Sequence, residues 1–373
     1  MYDARHDAGI TILRFVLCIK PNRFSQSLRR FSTPPPFHPP LTMTHTTPKT
    51  MHAAVVHKPG GPSALILEDR PIPTPDKGWV LIRIKAFGLN RSEMFTRKGA
   101  SPGVSFPRVL GIEATGIVAA APGGEFKEGE IVATIVGGMG RNFDGGYAEY
   151  TCVSAKQVQV VDADGIGWDI LGAVPEMVHT AWGALFSSLL LKKGEKLLVR
   201  GGSSSVGMAA AAIAKHHGAF VVSTTRNESR ADLLRRSGAD DVLIDSGTIA
   251  EEARKRFPEG FDKVLELVGV ATLADSLKAT KKNGIVCSCG ILGDKWVLPE
   301  LDPNFLIPSG VFLTTFASFA DPFSAGPINT VARAIKDGSM QIPIKTFKLD
   351  EIVQAHTEMD DSTAAAKIVI LTD

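Results

Sequence analysis

Between residues 176 and 310, short runs that are apolar throughout alternate with helical ones, and few folds accommodate that pattern. "EKLLVRG", "FVVSTTR", "DVLID", "FDKVLELVG" and "GIVCSCGIL" read as strands. The segment from Val206 and the stretches "SRADLLRRSGA", "IAEEARKRF" and "TLADSLKATKK" between them read as helices. Strands with two apolar faces need cover on both, and helical links join parallel neighbours. The pattern therefore predicts a doubly wound parallel sheet, a nucleotide-binding domain over 176–310. A helix over "VPEMVHTAWGALFSSLLLK", with Pro175 close to its start, leads into it. Residues 51–175 differ: "MHAAVVHK", "SALILEDR", "WVLIRIKAFGL" and "EIVATIV" are short branched-apolar runs parted by Gly, Pro and Asp turns. That spacing predicts a β-rich barrel or sandwich. After "VFLTTFASFA" and the helix "INTVARAIKDG", the tail ends in a branched strand, and the simplest architecture returns 311–373 to the first domain.

The length of 373 residues allows two full cores. The formal charge of +2 conceals an asymmetry, because residues 1–50 carry seven Lys/Arg against Asp3 and Asp7. The remainder holds 34 basic and 37 acidic residues, a mildly acidic body without the basic stripe that nucleic acid requires. Residues 1–50 also hold seven prolines, concentrated in "TPPPFHPP", which suits neither helix nor strand. "PNRFSQSLRRFST" is Arg- and Ser-rich and free of acids, as organellar transit peptides are. A disordered extension or a start placed too early, with Met43 and Met51 downstream, reads equally well. A cytoplasmic and a mitochondrial matrix address both stay open. No apolar run reaches the ~18 residues of a membrane span. Four cysteines without a CxxC make neither a disulfide framework nor a zinc site, and Cys287 and Cys289 read as small buried hydrophobes.

"GGSSSVGMAA" follows the first strand of the parallel set and opens a helix. A dinucleotide loop needs a tight turn, backbone approach to the pyrophosphate and close helix–sheet packing. Gly201, Gly202 and Gly207 meet the glycine requirements. Ser203, Ser204 and Ser205 are small enough for the middle of the loop and can bond phosphate or cap the helix that continues from Val206. The second strand ends in Thr224-Thr225-Arg226, with Arg230 one turn on, where an NAD site usually places an acid. Two guanidiniums suit the extra phosphate of NADPH, although Glu228 lies between them. Backbone after the fourth and fifth strands, at Val268, Gly290 and Ile291, is expected to line the cofactor cleft.

These residues, with "GLNRSEMFTRKG", "FPRVLGIEATGIV", "GGYAEY", "HTAWGAL" and the closing "AHTEMDDSTAAAKIVI", resemble the medium-chain dehydrogenase/reductase superfamily. Within it they resemble the zinc-free quinone oxidoreductase-like (enoyl-reductase-like) branch, over residues 51–373. The resemblance implies an α/β protein in which a GroES-like substrate domain contains an inserted Rossmann domain, with cofactor between them and a homodimer as the assembly. It places Asn90 beside the nicotinamide and Thr180 facing the cofactor, the two catalytic candidates. Phe316 and Ser318 would close over the ring, unless the "LTTFAS" strand pairs with its copy. Zinc-dependent relatives carry Cys and a His–Glu pair where this chain reads Asn90-Arg91-Ser92-Glu93 and Gly111-Ile112-Glu113, so no metal is expected. Glu113 and His179 read as structural groups. Mitochondrial-type enoyl-thioester reductases place a tyrosine where this chain has "RKGASPGVSFP", which counts against that activity. The reading is thus an NADPH-dependent reductase of quinones or activated C=C bonds. An enoyl-thioester reductase and a non-catalytic NADPH-binding protein are the alternatives.

Overall fold

The computed structural model describes residues 49–373, so the expectations for the N-terminal extension lie outside the described residues. Its first strand, Thr50–Val56, lies between Leu65–Pro71 and the short Arg108–Val109 in a three-stranded sheet. A larger, seven-stranded sheet is centred on Trp79–Gly88 and Glu113–Ala120, which pair antiparallel. The terminal strand Lys367–Leu371, the branched run "KIVIL", pairs antiparallel with Trp79–Gly88 in this sheet.

The parallel sheet has six strands: Lys196–Arg200, Phe220–Thr225, Asp241–Ile244, Phe261–Glu266, Thr280–Ser288 and Phe312–Thr315. Numbered along the chain they stand in the order 3-2-1-4-5-6, the doubly wound arrangement. The sixth strand comes after residue 310, within the stretch assigned from sequence to the returning tail. Its four residues are too few for their apolar pattern to show which sheet they join, and the register of Ile285 with Phe312 decides it.

The helix before the sheet is Trp168–Trp182, and Pro175 is in its middle rather than at its start. An interior proline leaves the carbonyl four residues back without a donor. Here the Thr115 hydroxyl donates to the Leu171 carbonyl (2.9 Å), which removes that cost. The helix passes into π-helical turns over Gly183–Ser188. It packs on Ser205–His217 and Ala325–Lys336 and also on strands of the β-rich sheet. A single apolar cluster accordingly joins Ala86 and Val369 to Leu197 and Val199 through Val174 and Val178.

Candidate active site

The order of the parallel sheet reverses between Lys196–Arg200 and Phe261–Glu266. Ligands of such sheets bind beyond the carboxyl ends of the strands at that reversal. A cavity of about 790 Å³ lies there, walled by residues of both the parallel sheet and the β-rich part.

At the phosphate loop, Gly201 has φ +85°, the left-handed region that favours glycine. Gly207 approaches so closely that a Cβ would stand 2.5 Å from the Gly201 carbonyl oxygen. Ser204 caps the helix, its Oγ accepting from the Gly207 N–H (3.1 Å) and donating to the Gly201 carbonyl (2.9 Å). Ser203, Ser204, Ser205 and Val206 line the cavity. The Ser204 cap and its carbonyl take the Gly207 and Met208 amides, while the Ser205 and Val206 amides at the helix start have no intrahelical acceptor, so the loop offers those N–H groups, the Ser203 and Ser205 hydroxyls and a positive helix end. That donor set fits a dinucleotide pyrophosphate.

Arg226 and Arg230 also line the cavity, and Glu228 does not. Arg230 Nη2 donates to the Ser362 carbonyl, which steadies the guanidinium beside the wall. Gly290 and Ile291 line the cavity as well. Gly202, Thr225 and Val268 are not on the wall. Gly202 donates to the Thr224 carbonyl (3.0 Å), and Thr225 Oγ1 bonds the Asn227 N–H (3.2 Å), shaping the turn that carries Arg226. The Val268 amide turns to buried Glu266 (2.7 Å), and Leu267 lines the cavity in its place. At the end of the first strand, fully buried Arg200 bonds Asp245 through Nε and Nη2 (3.0 Å each) and Asp275 through Nη1 (2.7 Å). The first strand is thereby tied to the loop after the third and the helix after the fourth.

Asn90, Thr180, Phe316 and Ser318 line the same cavity. Asn90 does not offer its amide to that space. Its Nδ2 donates to Glu113 Oε1 (2.8 Å), and its Oδ1 accepts from Lys367 Nζ (2.7 Å). Lys367 also bonds Glu113 Oε1 (2.7 Å), and this ion pair is wholly buried. Glu113 Oε2 accepts the Glu176 N–H (2.9 Å), one residue beyond Pro175. Glu93 completes the cluster, accepting from the Ile112 amide (3.1 Å), and its Oε2 has no partner. Burial pushes Glu93 up to about 7, countered by the Ile112 bond and raised further by the Glu113 charge.

His179 donates from Nε2 to the Ser318 carbonyl (3.0 Å), holding the loop that carries Phe316 and Ser318; burial lowers its pKa, countered by that bond and the Asp321 charge. Tyr147 is fully buried against Phe87 and bonds His356 (3.0 Å). Both side chains are engaged in bonds within the fold, as is Glu113. Cys287 is buried, as expected, whereas Cys289 reaches the cavity wall. Among the described residues no group of three His, Cys, Asp or Glu is arranged to hold a metal ion.

Sequence reasoning missed Glu176 and Lys367. Each had a signal, an acid four residues before Thr180 in an apolar helix and a lysine within the apolar strand "KIVI". It also passed over Arg91 and Arg141, which line the cavity from the β-rich part.

Two family models match the chain: the alcohol dehydrogenase GroES-like domain over residues 76–163 and the zinc-binding dehydrogenase family over residues 205–320. A quinone oxidoreductase of Lama guanicoe is 29% identical over 340 residues, 87% of this chain and 98% of that protein. A 2-haloacrylate reductase of a Burkholderia species is 26% identical over 333 residues, 86% of this chain and 98% of that protein. A mycobacterial protein solved in complex with NADPH superposes with a TM-score of 0.76 at 27% identity, covering 86% of this chain and 100% of the other.

Proposed function

Because the chain belongs to the quinone oxidoreductase-like branch of the medium-chain dehydrogenase/reductase superfamily, an oxidoreductase group with an NAD(P)-binding fold, we propose that it reduces a quinone or an activated C=C bond with NADPH and without zinc. The observation that carries this reading is the cavity itself, whose wall combines a phosphate loop and two arginines with Thr180, Phe316 and Ser318. Bound there, NADPH supplies the hydride, and the chain supplies position and shelter from water.

The serine loop and the first-turn amides bind the pyrophosphate. Arg226 and Arg230 take the 2′-phosphate, and Phe316 covers the reacting end, where Thr180 donates to the acceptor oxygen. Zinc-free chemistry is supported by the state of Glu113, whose oxygens are engaged by Lys367, Asn90 and the Glu176 amide. Asn90 then acts as a positioning residue through Lys367 and Glu113. The 2-haloacrylate reductase relative supports an electron-poor alkene as the acceptor.

The test is steady-state oxidation of NADPH and NADH by chelator-treated protein, with an ortho-quinone or an α,β-unsaturated ketone. Turnover that prefers NADPH and survives chelation is the expected result. Loss of turnover on chelation, restored by zinc, overturns the zinc-free reading. Tight NADPH binding without turnover of either acceptor overturns the reductase reading and leaves a narrow thioester substrate or a binding protein.

A further inference from the structure

Reduction of a quinone or an enone adds a proton as well as a hydride, and the sequence offers no evident donor for it. Among the described residues, the cavity wall carries two acids, Glu176 and Glu358. Glu358 is held by Lys345, whose ammonium reaches both of its oxygens (2.8 and 2.6 Å). Glu176 is buried, has no cation of its own, and accepts from the Thr180 hydroxyl (2.7 Å) one helical turn away. The nearby ammonium of Lys367 is bonded to Glu113, Asn90 and the Leu89 carbonyl instead.

On the reading proposed above, we infer that Glu176 is the proton source of the reaction, delivering through the Thr180 hydroxyl to the acceptor.

The geometry dictates the route. When the carboxyl is protonated, Glu176 becomes the donor of the short bond and Thr180 Oγ1 its acceptor. The Thr180 hydrogen is then released toward the cavity, where Thr180 is part of the wall. As hydride reaches the acceptor with its electron pair, the oxygen that gains negative charge takes the Thr180 proton. Thr180 takes the Glu176 proton in turn. The O–H bond of Glu176 breaks and an O–H bond on the product forms, leaving a Glu176 carboxylate and an unchanged Thr180. Water entering from the mouth of the cavity reprotonates Glu176 before the next turnover.

The surroundings keep the proton available. The groups that face this carboxyl are Glu113 from the β-rich sheet, Lys367 from the terminal strand, Thr180 on its own helix, Ser318 from the covering loop and Cys289 just after the fifth parallel strand, whose thiol burial keeps uncharged. Burial raises the Glu176 pKa, and the Glu113 charge raises it again. Lys367 and the two hydroxyls pull it back without cancelling the rise. The Glu113 carboxylate is held in place by the Glu176 amide, and Pro175 immediately precedes that residue in the helix.

The experiment compares the full chain with Glu176→Gln and Thr180→Val. Infrared difference spectra of the protein without cofactor, titrated with pH, should show, besides the band of Glu93, a protonated-carboxyl band at neutral pH that is missing from Glu176→Gln. With an ortho-quinone as acceptor, Glu176→Gln should lower kcat about 100-fold or more while the Kd for NADPH, read by fluorescence, changes less than twofold. The wild-type kcat should fall as pH rises through the Glu176 pKa, and that limb should vanish in both variants. Wild-type kcat with an unchanged pH limb in Glu176→Gln overturns the proposal, as does an ionised Glu176 throughout the neutral range. If the wild type turns over no acceptor, the reductase reading itself has failed, and the infrared titration still decides whether Glu176 holds a proton. Should Glu176→Gln not fold, Thr180→Val carries the same kinetic test. A normal kcat in that variant then overturns the route.

Discussion

Lys367 shows what a single residue costs and returns in this protein. Its ammonium is wholly buried with Glu113, and taking either charge from water is expensive unless the partner remains. Lys367→Met leaves Glu113 charged and buried, and is expected to cost about 3–5 kcal/mol, read as a lower urea midpoint. The double replacement Lys367→Met with Glu113→Gln should recover much of that loss, because it removes the stranded charge. A single and a double variant of equal stability would contradict this account. Little of the cluster was legible beforehand. Asn90 lines the cavity, but its amide is committed to Glu113 and Lys367, and residues 277 positions apart carry no local signature of such a bond.

At the scale of elements, the phosphate loop was the most readable part, since its requirements are local. A strand end, a left-handed Gly201 and a close-packed Gly207 are conditions on neighbouring backbone. The spacing of small residues records them even where serine replaces glycine. Gly207→Val places a branched side chain against the Gly201 carbonyl and the Gly202 backbone. It is expected to weaken NADPH binding at least tenfold, measured by fluorescence titration, and unaltered affinity would contradict the packing argument. The helix Trp168–Trp182 was less readable. Proline usually marks a helix start, whereas here the Thr115 hydroxyl satisfies the carbonyl it leaves open, and Thr115 is on a strand of another sheet. The strand Phe312–Thr315 forms the edge of the parallel sheet, with Phe312 exposed. Such an edge favours pairing with its copy. We propose it as the contact of a homodimer, and Phe312→Lys should then yield monomers in sedimentation. A dimer unaffected by that change would place the contact elsewhere.

For the whole molecule, acid stability depends on groups that meet only after folding. Arg97 donates to His356 Nδ1 (2.8 Å), which fixes the proton on Nε2, and that nitrogen donates to Tyr147 (3.0 Å). Burial and the Arg97 charge push His356 down to about 3, from an ordinary value of 6.5. The unfolded chain therefore takes up a proton that the folded protein refuses. The stabilisation this group contributes is complete above pH 6.5 and is lost as pH falls toward 3. Glu93 has the opposite sign, favouring the fold below 4.5 and losing that contribution as pH rises through about 7. The two offset each other until pH falls below 4.5, where the His356 loss continues alone. His356→Gln should flatten that acid limb in urea unfolding at successive pH values, and an unchanged slope would show that other groups govern it.

The alternation of apolar strands and helices, the β-rich spacing before it and the small-residue loop determined by themselves the two-part α/β fold and its NAD(P)-binding character. Each is written in residues close together along the chain, and periodicity and turn chemistry act over that range. Only the tertiary structure decided that Pro175 lies inside a helix, that Phe312–Thr315 joins the parallel sheet, and that Glu176 stands uncompensated beside Thr180 while Lys367 pairs with Glu113. Those outcomes depend on which distant group supplies the missing donor or charge, and burial makes that choice only once the sheets have closed.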